Sequence, residues 1–408
     1  MTISLAELTD AVGGGAAGVR IVADLEPLGG DFQKVFPPTY GADSTGNKYP
    51  VELRRSGNGQ EVVSVVLNSV AAQANLHELA LLEAVRDGEL PLPTTVADFT
   101  KDPATAGYGR ISDLEAPHRI ADAIFRDSLD GDVLFRLGGA GRAVTDATPR
   151  NAAGIAHHAP AALLFGLWDS TGPRGGRGAK YERAFTSEIT AFGVRTGVKT
   201  ASRIDPLGIE KKAGPVYRTA DHGWTLDQSE AVDGKKAAAL DPSDVNHGNI
   251  PPGIDAVAGG VTADRIELLS VLSFIQLRRL RFPLDHVGNA LPAESVRHAE
   301  TAARTAIAAL GLCASALAFE AGFDLRSRCV LVPKSAPTFE LIGRSGDRTA
   351  FTLSRPEVLA LVADAVVAAA LAGLPWREGE LVLTPAPQLT ELLRRSIGIS
   401  AESTAGDN

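Results

Sequence analysis

The apolar and polar positions of this chain follow a two-residue period in some stretches and a helical period in others. Val19-Arg20-Ile21-Val22-Ala23-Asp24-Leu25 predicts a strand, and Glu26-Pro27-Leu28-Gly29-Gly30 ends it, because proline and paired glycine interrupt regular structure. Val62 to Leu67 predicts a second strand. From Ala71 to Arg86, Leu76, Leu79, Leu82 and Val85 recur every three residues and Gly88 follows, which predicts a helix and its stop. Pro117 to Phe125 predicts a short helix with proline in its first turn, and Lys180 to Phe192 also fits a helix. Between them, Ala159 to Trp168 is apolar and Gly172 to Gly178 is a glycine-arginine loop. Asp205 to Gly260 is broken by Pro206, Pro215, Pro242, Pro251 and Pro252, so it is read as irregular insertions or an extended arm.

The last third is more regular. Arg265 to Phe282 fits two readings: Leu268, Leu272 and Ile275 have helical spacing, whereas Val271, Ser273, Ile275 and Leu277 alternate as in a strand. Ala293 to Ala321 predicts a long alanine-rich helix ended by Gly322. Cys329 to Val332 and Phe339 to Ile342 predict strands, Pro356 to Leu371 a helix, Leu381 to Leu383 a strand, and Leu389 to Arg395 a last helix. Ser400 to Asn408 reads as a disordered tail. The order helix, strand, strand, helix, strand suits half of a ferredoxin-like βαββαβ unit completed by an early strand, hence an α+β fold with helices on one face of a sheet.

Composition changes little in this picture. At 408 residues, 44% hydrophobic and 22% charged, the chain can build a sizeable core. With aromatics at only 5%, its helices are expected to pack through small side chains. Cys313 and Cys329 read as small buried hydrophobes of a reducing compartment. Met1 to Asp10 lacks the basic and long apolar character of a signal peptide. Val358 to Leu374, the most apolar run, contains Asp364 and reads as a buried helix rather than a membrane span. A cytoplasmic protein with no membrane partner is expected.

Charge changes it more. The net charge of −9 argues against a polyanion partner, but from Gly172 to Arg218 ten Lys/Arg stand against four acids, a local +6 on a remainder of −15. A basic strip on an acidic body binds a polyanion along one face, because salt screens acids beyond about 8–10 Å. A solvated charged surface is the alternative. Arg174, Arg177, Lys180 and Arg183 fall in a glycine-rich segment read as leading into a helix, where glycines let backbone N–H groups approach phosphate and a helix N-terminus adds positive charge. On that helix Lys180 and Arg183 would share a face. Lys199 and Arg203 continue the strip. Asn246-His247-Gly248-Asn249 before two prolines suits contacts to bases or sugar hydroxyls, or simply a turn capped by Asn. In Pro117-His118-Arg119-Ile120-Ala121-Asp122, Arg119 and Asp122 can pair on one helix. Arg278, Arg279 and Arg281 form a further basic cluster, or the solvated edge of the element before them.

Enzyme signatures fail. Gly13 to Gly18 precedes a strand instead of following one, no Gly-Lys-Ser/Thr occurs, and Asp43-Ser44-Thr45-Gly46 and Asp169-Ser170-Thr171-Gly172 are each a residue too long for an aspartic protease. There is no Gly-x-Ser-x-Gly, His-Glu-x-x-His or Cys-x-x-Cys, and adjacent His157 and His158 are expected to point apart, so no metal or other cofactor is expected.

Longer blocks carry a resemblance. Arg20-Ile21-Val22-Ala23-Asp24-Leu25-Glu26-Pro27-Leu28-Gly29-Gly30, Lys34-Val35-Phe36-Pro37-Pro38-Thr39-Tyr40, Leu114 to Ala123, Phe165 to Gly178, Arg203-Ile204-Asp205-Pro206-Leu207-Gly208 and Leu325-Arg326-Ser327-Arg328-Cys329 are similar to the RAMP-type backbone protein of type I-G (formerly I-U) CRISPR–Cas effector complexes. The blocks run from Arg20 to Val332. The resemblance implies one domain over 1–400, a modified ferredoxin-like (RRM-like) palm with finger and thumb elements inserted at about 90–260 and a tail at 401–408. It implies a subunit without catalytic activity that stacks head to tail with copies of itself along CRISPR RNA, beside other Cascade subunits and target DNA. It also implies that Arg174, Arg177, Lys180 and Arg183 contact RNA, with His118, Arg119, Asn246, His247 and Asn249 as further contacts. A RAMP endoribonuclease using His118, His247 or Asp205 is the alternative reading; a metabolic enzyme of unrelated fold is a third.

Overall fold

The computed structural model describes residues 2–406 apart from 42–45, 47, 56, 58, 173–179 and 222. Six elements form a βαββαβ unit: β1 (Ala16–Pro27), α1 (Val70–Arg86), β2 (Phe185–Phe192), β3 (Arg265–Ser273), α2 (Val296–Ala321) and β4 (Thr338–Gly343). β1 lies between β3 and β4, and β2 lies beyond β3, with every pairing antiparallel. This is the strand order of a ferredoxin-like α+β fold. Glu61–Asn68 and Val51–Arg55 extend the sheet past β2, and Cys329–Pro333 and Phe323–Arg326 extend it beside the C-terminal end of β1.

Sequence dictates the faces. Val19, Ile21, Ala23 and Leu25 of β1 are buried and stand across from Leu272, Ser270, Leu268 and Ile266 of β3. A Cβ at Gly18 would lie 2.3 Å from the Leu272 carbonyl oxygen, so glycine alone lets the two backbones meet there. α2 is almost wholly buried, and its alanines, with Gly311 against Leu164 and Leu272, allow the close approach expected from the composition. It is the one helix among the described residues long and apolar enough to cross a membrane, and it is enclosed by the fold like the core helix of a soluble protein.

Three expectations are corrected. Lys180 to Phe192 is not helical: Lys180–Tyr181 pairs with Leu167–Trp168, and Phe185–Phe192 is β2. Phe185, Ser187, Ile189 and Ala191 are buried while Thr186, Glu188 and Phe192 are half-buried, a two-residue period interrupted only by buried Thr190 and reinforced by β-branched Thr186 and Ile189. Pro117 to Phe125 is not one helix. A single 3-10 turn, Arg119–Ala121, precedes a short helix, Ala123–Arg126, because Arg119 takes a positive φ of 51° and Asp122 caps the second piece through the Ile124 N–H. The strand near Leu381 forms as Glu380–Pro385 but does not complete the main sheet. It runs parallel to Thr94–Asp98 in a second, five-stranded sheet. The ambiguous Arg265 to Phe282 run is strand to Ser273 and then a turn of helix, Phe274–Leu277, capped by Ser273. Between β2 and β3 the chain forms an arm of three short ladders, the longest pairing Lys199–Arg203 with Ile250–Asp255.

The buried side of α1 takes in most of its predicted apolar row, with Leu82 buried and Leu76 and Val85 packed on the core, but it also takes in polar residues. Leu79 is exposed, whereas Gln73, His77 and Glu78 are buried. Ser270 donates to Ser187 at 2.8 Å and Ser187 to Gln73 at 3.0 Å, a polar seam crossing the core. His77 packs on Phe185 at 5.0 Å and Phe165 at 6.4 Å, and burial pushes its imidazole down to about 4. The unfolded chain takes up this proton below about 6.5, the folded one only near 4, so His77 removes stability as pH falls across that window. The slope is about 1.4 kcal/mol per pH unit. His77→Phe is expected to flatten that acid limb, read as melting temperature against pH from 8 to 4.

Candidate nucleic-acid interface

The site is built where three distant segments meet. The Leu167–Trp168 and Lys180–Tyr181 ladder places Trp168 directly across from Lys180, with the ammonium 5.7 Å from the indole centroid. Leu167 and Tyr181 are buried beneath them, while Trp168 is 55% exposed. The 117–119 turn closes one side and the β2 entry closes the other. The result is an open groove of about 610 Å³ whose lining includes His118, Trp168, Lys180, Arg183 and Gln276. His118, Lys180 and Arg183 are exposed in it.

Arg119 does a different job. It forks onto Glu78 at 2.6 and 2.8 Å, donates to the Gly166 carbonyl at 3.0 Å and lies 5.7 Å from the Phe165 ring centroid. Burial raises the Glu78 carboxyl, and Arg119 offsets part of that rise. Arg119 therefore ties the 117–119 turn and the strand before Trp168 to α1, and it lines the groove only as a buried side chain already engaged by Glu78. The expected Arg119–Asp122 pair is absent, and Asp122 accepts from the His118 and Ile124 N–H groups. Beyond Trp168, Arg136 grips both oxygens of Asp169 at 2.9 Å.

The other sequence candidates separate. Arg174 and Arg177 lie outside the described residues. No helix starts at Lys180, so the helix-terminus charge expected there is missing and Lys180 and Arg183 do not share a helical face. Arg279 pairs with Glu182 at 2.7 Å and lines a neighbouring cavity of about 220 Å³ that shares Lys180 and Gln276 with the groove. Arg278 donates to the Val12 and Ala16 carbonyls at 3.1 and 2.9 Å, and Arg281 pairs with Glu300 at 2.6 Å, so two of that cluster's three cations brace the fold.

Lys199, Arg203, Asn246, His247 and Asn249 all lie in the arm, and none lines the groove. Lys199 pairs with Asp255 at 3.1 Å across the ladder. Arg203 donates to the His247 and Gly248 carbonyls at 2.8 and 2.9 Å, and Asn249 accepts from the Asp205 N–H at 2.7 Å. Asp205 accepts from the Leu207 and Gly248 N–H groups, which hold its carboxyl below the usual range. Asn246 ends a 3-10 turn at φ 63°, so the capped-turn reading describes this motif. Arg203→Ala should free that loop. Limited proteolysis should then cut between residues 204 and 249 at least several-fold faster than in the unaltered chain.

The main sheet's open face is a poor alternative. Its Arg20–Glu340, Arg54–Glu188 and Arg265–Glu267 pairs neutralise one another, and Phe192 is covered by Arg54 and Arg265 at 5.8 and 4.9 Å.

Residues 19–196 match the family model described as CRISPR-associated protein GSU0053. Over that span, under half of its length, the chain is similar to this CRISPR-associated family. The matched span contains every residue lining the groove except Gln276. No curated protein matches the chain.

Elsewhere the chemistry is sparse. A separate cavity of about 880 Å³ is lined by Arg86, Arg110, Trp376 and Arg377 over an apolar floor, with no His, Cys or Lys among its described lining residues. Arg86 is held by Glu83 and Glu115, Arg110 by Glu380, and Arg377 by the Thr94 carbonyl. His157 and His158 do not point apart as expected. Their rings sit 4.7 Å apart, and His286 stacks on His157 at 4.0 Å, because the turn after Phe282 folds over that helix. Among the described residues no His, Cys, Asp or Glu group is arranged to hold a metal.

The sequence singles out the motif around Trp168 without giving that residue a role. Its signal is a lone tryptophan ending an apolar run just before the glycine-arginine segment. Glu78 gives no signal, since a glutamate in a helical pattern reads as solvated.

Proposed function

We propose that this chain is the non-catalytic backbone subunit of a type I-G CRISPR effector complex, a cytoplasmic protein that holds CRISPR RNA and stacks on copies of itself along the guide. Other Cas subunits and target DNA complete its partners in antiviral defence. One observation carries the reading: His118 from one segment, and Lys180 and Arg183 from another, line one open groove with an exposed tryptophan. Cations that follow a backbone beside an aromatic face are what single-stranded nucleic acid requires. The CRISPR-associated family match and the ferredoxin-like core agree with it. Guide binding of this kind reads backbone and shape and leaves sequence to base pairing. Of the groups suggested for acid–base cleavage, His118 lines the groove while His247 and Asp205 are engaged in the arm, so the three do not form one acid–base site.

The full chain incubated with a repeat-containing transcript and Mg²⁺ is expected to bind it and leave it intact. Cleavage products that disappear in His118→Ala would replace the reading with an endoribonuclease.

A further inference from the structure

We infer that Trp168 is a stacking platform for one unpaired nucleobase of the bound RNA, with Lys180 beside it to meet the adjoining phosphate. The inference rests on the functional reading above and adds a base subsite to it. Trp168 is 55% exposed, yet its backbone is fixed on both sides. The Gly166 carbonyl before it is held by Arg119 at 3.0 Å, and Asp169 after it is held by Arg136 at 2.9 Å. A side chain kept so open on so rigid a support contributes little to the core. It offers a preorganised face, and stacking on such a face costs little ordering entropy.

The ring's surroundings suit a nucleotide. Lys180 contacts the indole through an exposed cation–π interaction, which is weak enough for the ammonium to swing to a phosphate. Arg183 and His118 line the same groove, and Gln276 brings an amide that can donate and accept. The main sheet cannot take this role as RRM sheets do, because Arg54 and Arg265 cover Phe192. The other two tryptophans are placed differently: Trp224 lies edge-on to His247 in the arm, and Trp376 is buried. Every base has a π-face, so a platform of this kind tolerates any guide sequence.

The test uses the full chain, a labelled single-stranded RNA, and the same RNA with its bases replaced by abasic residues, read by fluorescence anisotropy. Trp168→Ala should weaken binding about 5- to 100-fold, and Trp168→Phe should restore most of it. Abasic RNA should weaken the unaltered chain by a similar factor and leave Trp168→Ala unaffected, because both changes remove the same stacking. Unchanged affinity in Trp168→Ala, with the unaltered chain still binding, overturns the platform and leaves the functional reading standing. A further loss on abasic RNA in Trp168→Ala also overturns it, since the substitution would then act through structure. No binding by the unaltered chain overturns the functional reading and the platform with it.

Discussion

Arg119→Met is expected to lower stability by about 3–5 kcal/mol, because it strands a buried carboxylate without its partner. Glu78 is 2% exposed at its side chain and Arg119 9%, and the two meet through a bidentate pair. Burial already raises the Glu78 carboxyl, and the guanidinium is what offsets that rise. Without it, the folded protein keeps a proton on Glu78 that the unfolded chain releases above about 4.5. Stability of the variant therefore falls as pH rises, and the loss is larger at pH 8 than at pH 5. Adding Glu78→Leu should recover much of it, since a packed apolar pair avoids the desolvation of both ions. Chemical unfolding followed by circular dichroism at both pH values checks the prediction. A loss below about 1 kcal/mol at pH 8 would mean that the pair does not fasten the turn to α1.

The second large effect concerns binding. Lys180→Ala with Arg183→Ala should weaken single-stranded RNA binding roughly 10- to 100-fold near physiological salt, since hydrogen bonds to charged groups are among the stronger ones. Removing two cations that meet the phosphates of a single strand should also reduce the slope of log affinity against log salt by about 1.4. The weakening should be the same for unrelated guide sequences, because phosphates carry no sequence. Both residues are exposed, so folding should be unaffected. A loss confined to one guide, or an unchanged salt slope, would remove them from the RNA path.

How far the sequence can be read depends on whether each signal is local. α2 and the strand around Val19 are legible because alanine runs and apolar alternation decide their own structure. β2 misleads because Lys180 to Phe192 mixes charged and apolar residues at spacings that also fit a helix. Its pairing with β3, which brings Phe185 against Leu272, settles the matter, and that partner lies far along the chain. The destination of Glu380–Pro385 is hidden for the same reason, since its partner Thr94–Asp98 lies almost three hundred residues away.

The site shows the same division. Charge and glycine content single out Lys180 and Arg183, and the groove brings them to His118. Arg119 carries the same signal as its neighbour His118, but a positive φ turns it inward to Glu78. Charge in a sequence does not reveal whether its partner is a phosphate or a buried glutamate. Trp168 is inconspicuous because an apolar residue after an apolar run reads as core, and only the ladder to Lys180 shows that it stays in solvent.

The most direct measurement is made on protein expressed with and without a matching CRISPR array, by size-exclusion chromatography with light scattering and the ratio of nucleic-acid to protein absorbance. A large, RNA-rich species is expected that appears only with the array, retains guide RNA of uniform length, and is lost in the Lys180→Ala/Arg183→Ala variant. A monomer free of nucleic acid in both preparations, unchanged when the other complex subunits are co-expressed, would contradict the functional reading.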